Sequence, residues 1–301
     1  MKKVLITGAT GLVGQEIVKV CHENNIDVHY LSTSRRKLES QTNYKGFYWN
    51  PSEGYIDINC FKGVEVIVNL AGASVTRKWS KSYKEKILNS RLETLGLLHK
   101  TIKEERIEIK QLVSASAIGV YPDSKTHFYE EGFNGKSTSF LGQVVEQWED
   151  AADQFKSLNI RVAKIRIGLV LSNQGGALMQ LIKPIKAFVG SPIGTGKQWQ
   201  SWIHIHDLAH IFLFVVQNNL EGVFNGVAPN AVKQTELIKA IGKTLSRPII
   251  MPKVPGFVMR MILGEMSEII LESQRVSSKK IEQLGFHFKY HQLKPALEDL
   301  L

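Results

Sequence analysis

Apolar residues in the first half of the chain fall in short runs that alternate with amphipathic stretches. The runs that predict buried strands cover residues 4–7, 26–31, 64–70, 112–116 and 160–167. Amphipathic patterns of helical spacing lie between them, the longest at 82–105 and 139–156. Because strands that alternate with helices are typical of βαβ units, the sequence predicts an α/β fold with a Rossmann-like, doubly wound parallel sheet.

After residue 170 the character of the sequence changes. Glycines and prolines that mark loops become frequent: Gly175, Gly176, Pro184, Gly190, Pro192, Gly194 and Gly196. Shorter helical patterns follow at 208–217 and 234–245. We therefore expect a sheet core over residues 1–170 and a small C-terminal substrate lobe over 171–301, interleaved with the end of the sheet.

A glycine-rich turn joins the first predicted strand to the first predicted helix. Gly8 permits a tight turn, Gly11 lets the backbone approach a pyrophosphate, and Gly14 allows the helix and strand to pack closely. The unpaired N–H groups at the start of the helix then bind the anion. This context predicts a dinucleotide site that also includes the other turn residues, Thr10, Leu12 and Val13.

The end of the second strand predicts which dinucleotide binds. A site for NAD usually has a carboxylate there, which accepts hydrogen bonds from the ribose hydroxyls. The sequence instead has Ser32, Thr33, Ser34 and Arg35, whose hydroxyls and guanidinium favour a 2′-phosphate. We therefore predict NADP(H) as the cofactor; the alternative is that Arg35 only begins a solvated helix.

Composition narrows the class of function. The net charge is +10, but the lysines are scattered and often lie beside acids, so we expect no nucleic-acid partner. The densest apolar run, 211–216, is too short to span a membrane, no signal peptide is evident, and two cysteines do not support a disulfide framework. We expect a cytoplasmic protein that binds a small-molecule substrate, and the oligomeric state is left open.

Asn69-Leu70-Ala71-Gly72, together with the glycine turn, resembles the N-x-A-G segment of the short-chain dehydrogenase/reductase superfamily. Other motifs resemble its atypical, epimerase-like subfamily, often labelled nucleoside-diphosphate-sugar epimerases. They are Trp49-Asn50-Pro51, Ser90-Arg91, Ser114-Ala115-Ser116-Ala117-Ile118-Gly119, Trp148-Glu149, Ser201-Trp202-Ile203-His204-Ile205, Asn225-Gly226-Val227-Ala228-Pro229, Gln274-Arg275-Val276 and Leu284-Gly285-Phe286. The resemblance therefore covers essentially the whole chain.

The resemblance implies NADP bound over the glycine turn and a small polar substrate, such as a sugar nucleotide, that is oxidised, reduced or epimerised. Ser32 and Thr33 would lie near the adenosine phosphate. Thr33 stands where the family commonly has arginine, so the 2′-phosphate contact would fall to Arg35 or Arg91. The further implied cofactor contacts are Leu70, Ala71, Gly72, Arg91 and, near the nicotinamide, Gly168 and Leu169.

Standard members of the superfamily transfer protons with a serine and a Y-x-x-x-K pair. Ser116 occupies the serine position, but Leu141 and Val145 stand where tyrosine and lysine would be. The subfamily resemblance implies this absence, so a substitute must act with Ser116, and Tyr121 is the nearest tyrosine in sequence. The alternatives are that Tyr121 only packs, and that the protein is an NADPH-sensing regulatory or scaffold protein without turnover.

Three histidines and an aspartate between His204 and His210 have a spacing like that of metal ligands. In an extended segment, however, His204 and His206 point to one face, and Asp207 precedes an apolar run as a helix cap would. We therefore predict structural or substrate-pocket roles for the histidines and no metal site. Trp202 either lines the substrate mouth or belongs to the core.

Overall fold

The computed structural model describes residues 3–301, and a parallel sheet organises them. The strands are β1 Lys3–Thr7, β2 Asp27–Ser32, β3 Tyr44–Asn50, β4 Tyr55–Ile56, β5 Val66–Asn69, β6 Gln111–Ala117, β7 Phe128–Tyr129, β8 Arg161–Ile167, β9 Leu169–Leu171, β10 Trp199–Gln200, β11 Trp202–His204, β12 Gly222–Gly226, β13 Val232–Lys233 and β14 Arg275–Val276. Eight of them form the central sheet in the order β12-β8-β6-β5-β1-β2-β3-β4, and only the β3–β4 pair is antiparallel. The predicted α/β, Rossmann-like sheet is confirmed.

Helices flank this sheet and extend into the second half of the chain. They are α1 Leu12–Glu23, α2 Lys81–Glu104, α3 Phe140–Asp153, α4 Gly176–Lys186, α5 Ile205–Gln217, α6 Gln234–Thr244, α7 Gly256–Leu263, α8 Glu268–Leu271, α9 Lys279–Gln283 and α10 Leu293–Leu300. Helix α1 packs beside α5, and α2 packs beside α3. Across residues 3–301, no helix is both long enough and apolar enough to cross a membrane.

The strand order fixes where a ligand binds. The chain runs from β1 outward through β2 to β4, then returns to the other side of β1 to add β5, β6, β8 and β12. Adjacent parallel strands whose connections leave in opposite directions create a crevice at their carboxyl ends, which here lies between β1 and β5. Thr7 of β1 pairs with Asn69 of β5 at that end of the sheet.

The five predicted strands are present, with small shifts of their ends, but three strands of the main sheet were not predicted: β3, the two-residue β4 and β12. Strand β3 was overlooked because its buried residues, Phe47 and Trp49, alternate with exposed or half-buried polar and aromatic ones. This alternation is that of a strand with one buried face, not of the continuous apolar runs that mark the central strands. Strand β12 is short and contains two glycines and an asparagine.

The second half of the chain divides its side chains between two apolar cores. Helix α5 and strand β12 pack into the main core around the sheet. Residues from α4, α6 and α10 form a smaller core with Trp202, which is fully buried and therefore a core residue. The division at residue 170 stays a prediction, since the sheet itself draws residues from both sides of it.

Candidate functional site

The glycine turn begins the site, and its shape depends on two glycines. Gly8 has a φ of +74°, in the left-handed region that favours glycine. A Cβ on Gly14 would lie 2.2 Å from the carbonyl oxygen of Gly8, so only glycine lets α1 approach the turn. Helix α1 has no side-chain cap and no acidic residue in its first turn. Its first N–H groups are therefore available to an external anion, as the sequence predicts.

A buried line of polar side chains holds the ends of the central strands together. Thr7 Oγ1 donates to Asn69 Oδ1 at 2.7 Å and accepts the backbone N–H groups of Leu70 and Ala71, both at 3.1 Å. Asn69 Nδ2 donates to Ser114 Oγ at 3.1 Å. The asparagine of the N-x-A-G segment thus acts within the scaffold, and it fixes Leu70 and Ala71 beside the glycine turn.

A groove of about 740 Å³, here called the long groove, runs from the glycine turn past the end of β2 to helix α2. Gly8, Thr10, Ser32, Thr33, Ser34, Ala71 and Gly72 line it. Arg35 lies elsewhere, with its guanidinium carbon 4.0 Å from the centre of the Tyr48 ring. The cation that lines this part of the groove is Lys37.

Sequence reasoning missed part of the long groove because it missed β3. Trp49, Asn50, Pro51 and Ser52, at the end of β3 and just after it, also line the groove. The sequence links Trp49-Asn50-Pro51 to the family but predicts no strand there. Helix α2 completes the wall with residues that include Asn89 and Ser90.

A second space, here called the inner cavity, lies beyond Leu70 at the ends of β6 and β8 and measures about 370 Å³. Most of its wall is apolar: Val13, Leu70, Val75, Ile118, Leu141, Val144, Val145, Trp148, Ile167, Leu169, Trp199 and Ile269. Its polar lining side chains are Arg91, Ser116, Gln200, Ser201, Glu272 and Gln274. Predicted residues Val13, Gly168, Leu169, Arg91 and Ser116 are therefore brought together here.

Ser116 is tied to a buried ion pair. Its Oγ donates to Glu149 Oε1 at 2.6 Å. Arg166 binds the same carboxylate through Nε at 2.8 Å and Nη2 at 2.9 Å, and Lys164 lies 3.8 Å away. Burial alone would raise the pKa of Glu149, but the hydrogen bonds and charge of Arg166 outweigh it and hold that pKa below its ordinary value. Glu149 therefore stays ionised and remains the acceptor of the hydrogen bond from the Ser116 hydroxyl.

Tyr121 does not reach the inner cavity. Its side chain is fully buried, and its hydroxyl donates to Asn225 Oδ1 at 2.8 Å and accepts from Arg166 Nη1 at 3.0 Å. Burial raises the pKa of this phenol further. The expectation that Tyr121 acts at the substrate is corrected by this placement, because the tyrosine lies behind Arg166 and supports the ion pair from the side away from the cavity.

Arg91 lines the inner cavity and also contacts Gly72 and Ala73, which line the long groove. Its Nη1 donates to the carbonyl oxygens of Ile87 at 2.7 Å and Ala73 at 3.3 Å, and its guanidinium lies 4.9 Å from the Trp148 ring centre. A Cβ on Gly72 would lie 3.0 Å from the Arg91 guanidinium carbon. Burial lowers the pKa of Arg91 to about 10, so the side chain remains a cation at neutral pH.

Comparison with known sequences matches this arrangement to a family. Residues 4–226 match the sequence model of the NAD dependent epimerase/dehydratase family. The chain belongs to this family. Residues 254–300 match a second model, described as a domain of unknown function.

Whole-chain relatives carry the same family name. An epimerase family protein of Staphylococcus haemolyticus is 40% identical over 305 residues, covering 100% of this chain and 99% of that protein. The crystal structure of human epimerase family protein SDR39U1 (isoform 2) with NADPH matches with a TM-score of 0.85 and 29% identity, over 99% of this chain and 98% of that one. The predicted membership of the atypical, epimerase-like short-chain dehydrogenases/reductases is confirmed.

More distant structures support the fold alone. UDP-glucuronic acid 4-epimerase from Bacillus cereus, in complex with UDP-glucuronic acid and NAD, matches with a TM-score of 0.81 at 16% identity, over 99% of this chain and 97% of that one. Membership of the epimerase/dehydratase family and the structural match to an NADPH-bound relative imply a nucleotide cofactor. Helix α3 lines the inner cavity with the apolar side chains of Leu141 and Val145.

The histidine cluster of this epimerase-family chain is structural. His204 is the N-cap of α5, and its Nδ1 accepts the backbone N–H of His206 at 3.1 Å. Asp207, expected as the cap, instead lies inside the helix and accepts the backbone N–H groups of Lys289 and Tyr290, both at 2.9 Å. The cap prediction is wrong because a tertiary contact claimed the carboxylate. His206 stacks on His210, with ring centres 4.0 Å apart, and both His204 and His206 lie against the Tyr290 ring, at 4.0 and 6.2 Å between ring centres. Among residues 3–301, no three potential metal ligands converge.

Proposed function

We propose that this chain binds NADP(H) in the long groove and catalyses hydride transfer to or from a small molecule in the inner cavity. The observation that carries the cofactor choice is the end of β2. Ser32, Thr33 and Ser34 line the groove there together with the cation Lys37. A 2′-phosphate is favoured by hydroxyls and a cation, whereas the ribose hydroxyls of NAD are usually bound by a carboxylate at this point.

Residues of the long groove, together with Leu70, Gly168 and Leu169 at the adjoining side of the inner cavity, fit a dinucleotide that extends from one space into the other. The start of α1 would hold the pyrophosphate, Leu70 and Ala71 a ribose, and Gly168 and Leu169 the nicotinamide end. When bound, such a cofactor supplies or accepts a hydride. The close approach at Gly168, where a Cβ would lie 2.2 Å from the Ser201 carbonyl oxygen, brings β11 against that end.

The cofactor choice is tested by fluorescence titration of the purified protein with NADPH and NADH. We expect NADPH to bind at least about tenfold tighter, which corresponds to about 1.4 kcal/mol. Lys37→Ala should remove most of this preference, whereas Arg35→Ala should keep it, because Arg35 stacks on Tyr48 outside the groove. Equal affinities in the wild type would reject the NADP assignment and leave the glycine turn as a general dinucleotide site.

The inner cavity supports a substrate smaller and less polar than a sugar nucleotide. A diphosphate is normally bound by several cations and N–H groups. The only cationic side chain that lines this cavity, within residues 3–301, is Arg91, and two backbone carbonyls already occupy its Nη1. We therefore propose a small carbonyl compound or alcohol with a largely apolar body, and keep a sugar nucleotide as the second substrate class to be screened.

A second candidate function is an NADPH sensor without turnover, and one observation favours it. Helix α3 presents Leu141, Val144, Val145 and Trp148 to the cavity, none of which exchanges protons. The two functions are separated by a screen of aldehydes, ketones and sugar nucleotides, followed through NADPH absorbance and product analysis. Tight NADPH binding without any conversion would support the sensor and reject the enzyme.

A further inference from the structure

We propose that Glu272 is the acid–base residue of this site, which protonates the oxygen of a small, largely apolar carbonyl substrate in the inner cavity and deprotonates the alcohol in the reverse direction. The inference rests on the proposed hydride-transfer function and assigns its missing proton donor. It also gives the C-terminal region, whose family model carries no function, a direct part in the chemistry.

The composition of the cavity wall singles out Glu272. Within the described chain, the lining contains no tyrosine, lysine, histidine, aspartate or cysteine, and its charged members are Arg91 and Glu272. Arg91, with a pKa of about 10, stays a cation and already donates to backbone carbonyls. Glu272 is therefore the lining side chain that can both give and take a proton near neutral pH.

The lining serines already use their protons within the protein. Ser116 donates to the ionised Glu149 at 2.6 Å. Ser201 donates to the carbonyl oxygen of Gln274 at 2.8 Å and accepts the backbone N–H of Val276 at 2.9 Å. In this arrangement Ser116 can accept a hydrogen bond from a substrate hydroxyl, which orients it, but it has no proton to donate to a carbonyl oxygen.

The surroundings of Glu272 hold it near the protonation state that such a role needs. The residue follows α8 directly, is half-buried, and accepts from Gln274 Nε2 at 3.2 Å. Burial first, and then the negative charges of Glu268 and Asp123, raise its pKa to about 7, against the weaker opposite effect of Ser139 and Gln274. A general acid–base is most effective when its pKa lies near the working pH.

The charges that face Glu272 come from several elements. Glu268 lies on α8, Asp123 follows β6, and Arg91 of α2 lines the same cavity. In reduction, the carbonyl carbon gains a hydride from NADPH, the C=O π electrons form a new O–H bond with the Glu272 proton, and the carboxylate left behind regains a proton from water. In oxidation, the same carboxylate takes the alcohol proton as hydride leaves to NADP⁺.

The test uses the full chain with saturating NADPH and the probes benzaldehyde, hexanal and cyclohexanone at pH 5.5–9. For the wild type we expect kcat/KM to fall about tenfold per pH unit above about pH 7, because the acid form of Glu272 is required. Glu272→Gln should lower the rate by about 10²–10⁴-fold and remove this fall of kcat/KM above pH 7, here called the alkaline limb. Glu272→Asp should restore part of the rate together with the limb.

Two further variants and one measurement without turnover complete the test. Glu268→Gln should move the limb to lower pH, because it removes a charge that raises the Glu272 pKa. Glu265→Gln is the matched control: it removes an exposed carboxylate paired with Lys84 and should change neither rate nor limb. A carboxyl group whose pKa is raised on folding destabilises the folded state as pH rises from about 4.5 through about 7. Glu272→Gln should therefore have a higher Tm than the wild type at pH 8 and the same Tm at pH 4.5.

The outcomes separate this inference from the proposed function. Wild-type turnover that Glu272→Gln leaves unchanged, or a limb that survives in it, overturns the role of Glu272 and leaves the oxidoreductase standing. Absence of turnover of every probe, with NADPH bound, overturns both. Loss of NADPH affinity in Glu272→Gln would also overturn the inference, because the residue would then act on the cofactor site.

Discussion

The buried ion pair behind the inner cavity makes a quantitative prediction for Glu149→Gln. The substitution keeps the size and shape of the side chain but removes its charge. It leaves Arg166, which is only 9% exposed, without its carboxylate, while Lys164, 7% exposed, keeps a partner in Asp153 at 2.7 Å. Ser116 also exchanges an ionised acceptor for a neutral one.

The expected loss of stability is about 3–5 kcal/mol, the usual cost of leaving one charge of a buried pair without its partner. A Coulomb estimate agrees, since unit charges about 4 Å apart interact by about 4 kcal/mol at an effective dielectric constant near 20. The bidentate geometry, with both Arg166 contacts below 3 Å at 2.8 and 2.9 Å, places this pair among the strong ones. Arg166→Met in the Glu149→Gln background should recover part of the loss, because it removes the unpaired cation.

Urea denaturation at pH 7, followed by circular dichroism, measures the free energy of unfolding for the wild type, both single variants and the double variant. Because Arg166 holds the Glu149 pKa below its ordinary 4.5, the wild-type advantage is present above that pH and is lost as pH falls through the folded-state value. The variants should therefore converge in acid. A Glu149→Gln loss below about 1 kcal/mol at pH 7, or one that does not shrink in acid, would refute this reasoning.

Three further expectations concern single positions. Gly14→Ala should weaken NADPH binding at least tenfold in a fluorescence titration, since its Cβ would lie 2.2 Å from the Gly8 carbonyl oxygen and push α1 off the turn. Ser116→Ala should lower kcat by roughly 10²-fold with an unchanged NADPH Kd, because it removes a residue that orients substrate and takes no part in proton transfer. Asp207→Asn should cost about 1–3 kcal/mol in urea unfolding, because an amide oxygen replaces a buried carboxylate that accepts two backbone N–H groups.

The main sheet and the cofactor groove could be predicted from sequence because both depend on local signals. Apolar runs mark the central strands, and the spacing of Gly8, Gly11 and Gly14 specifies a turn whose neighbours are fixed within one βαβ unit. Strand β3, next to the edge strand β4, was missed because it has no such run, and the groove wall at Asn50 was missed with it. Because Tyr48 of β3 holds the Arg35 side chain, the local sequence alone could not show that Lys37, and not Arg35, lines the groove.

The inner cavity could not be predicted, because distant segments build it. Glu272 reaches the neighbourhood of Ser116 only through contacts of the following residues: Ser273 N–H donates to Asp123 at 2.7 Å, and Gln274 Nε2 donates to the Tyr121 carbonyl at 2.9 Å. In sequence, Glu272 is one acid in a segment with several others. Likewise, the local pattern around Asp207 fits a cap, and only the fold brings the backbone of Lys289 to it.

Residues from the last part of the chain, among them Glu272, line the inner cavity, so this wall is synthesised after the main sheet. Every strand of the main sheet has been made once Gly226 is added, whereas Glu272 follows 46 residues later. At about 5–20 residues per second, the ribosome needs roughly 2–9 s for that interval. A ligand of the long groove that is present in those seconds can stabilise the incomplete chain by mass action. Every residue that lines the long groove precedes Gly226, so the proposed cofactor site is synthesised before the residue proposed as its acid.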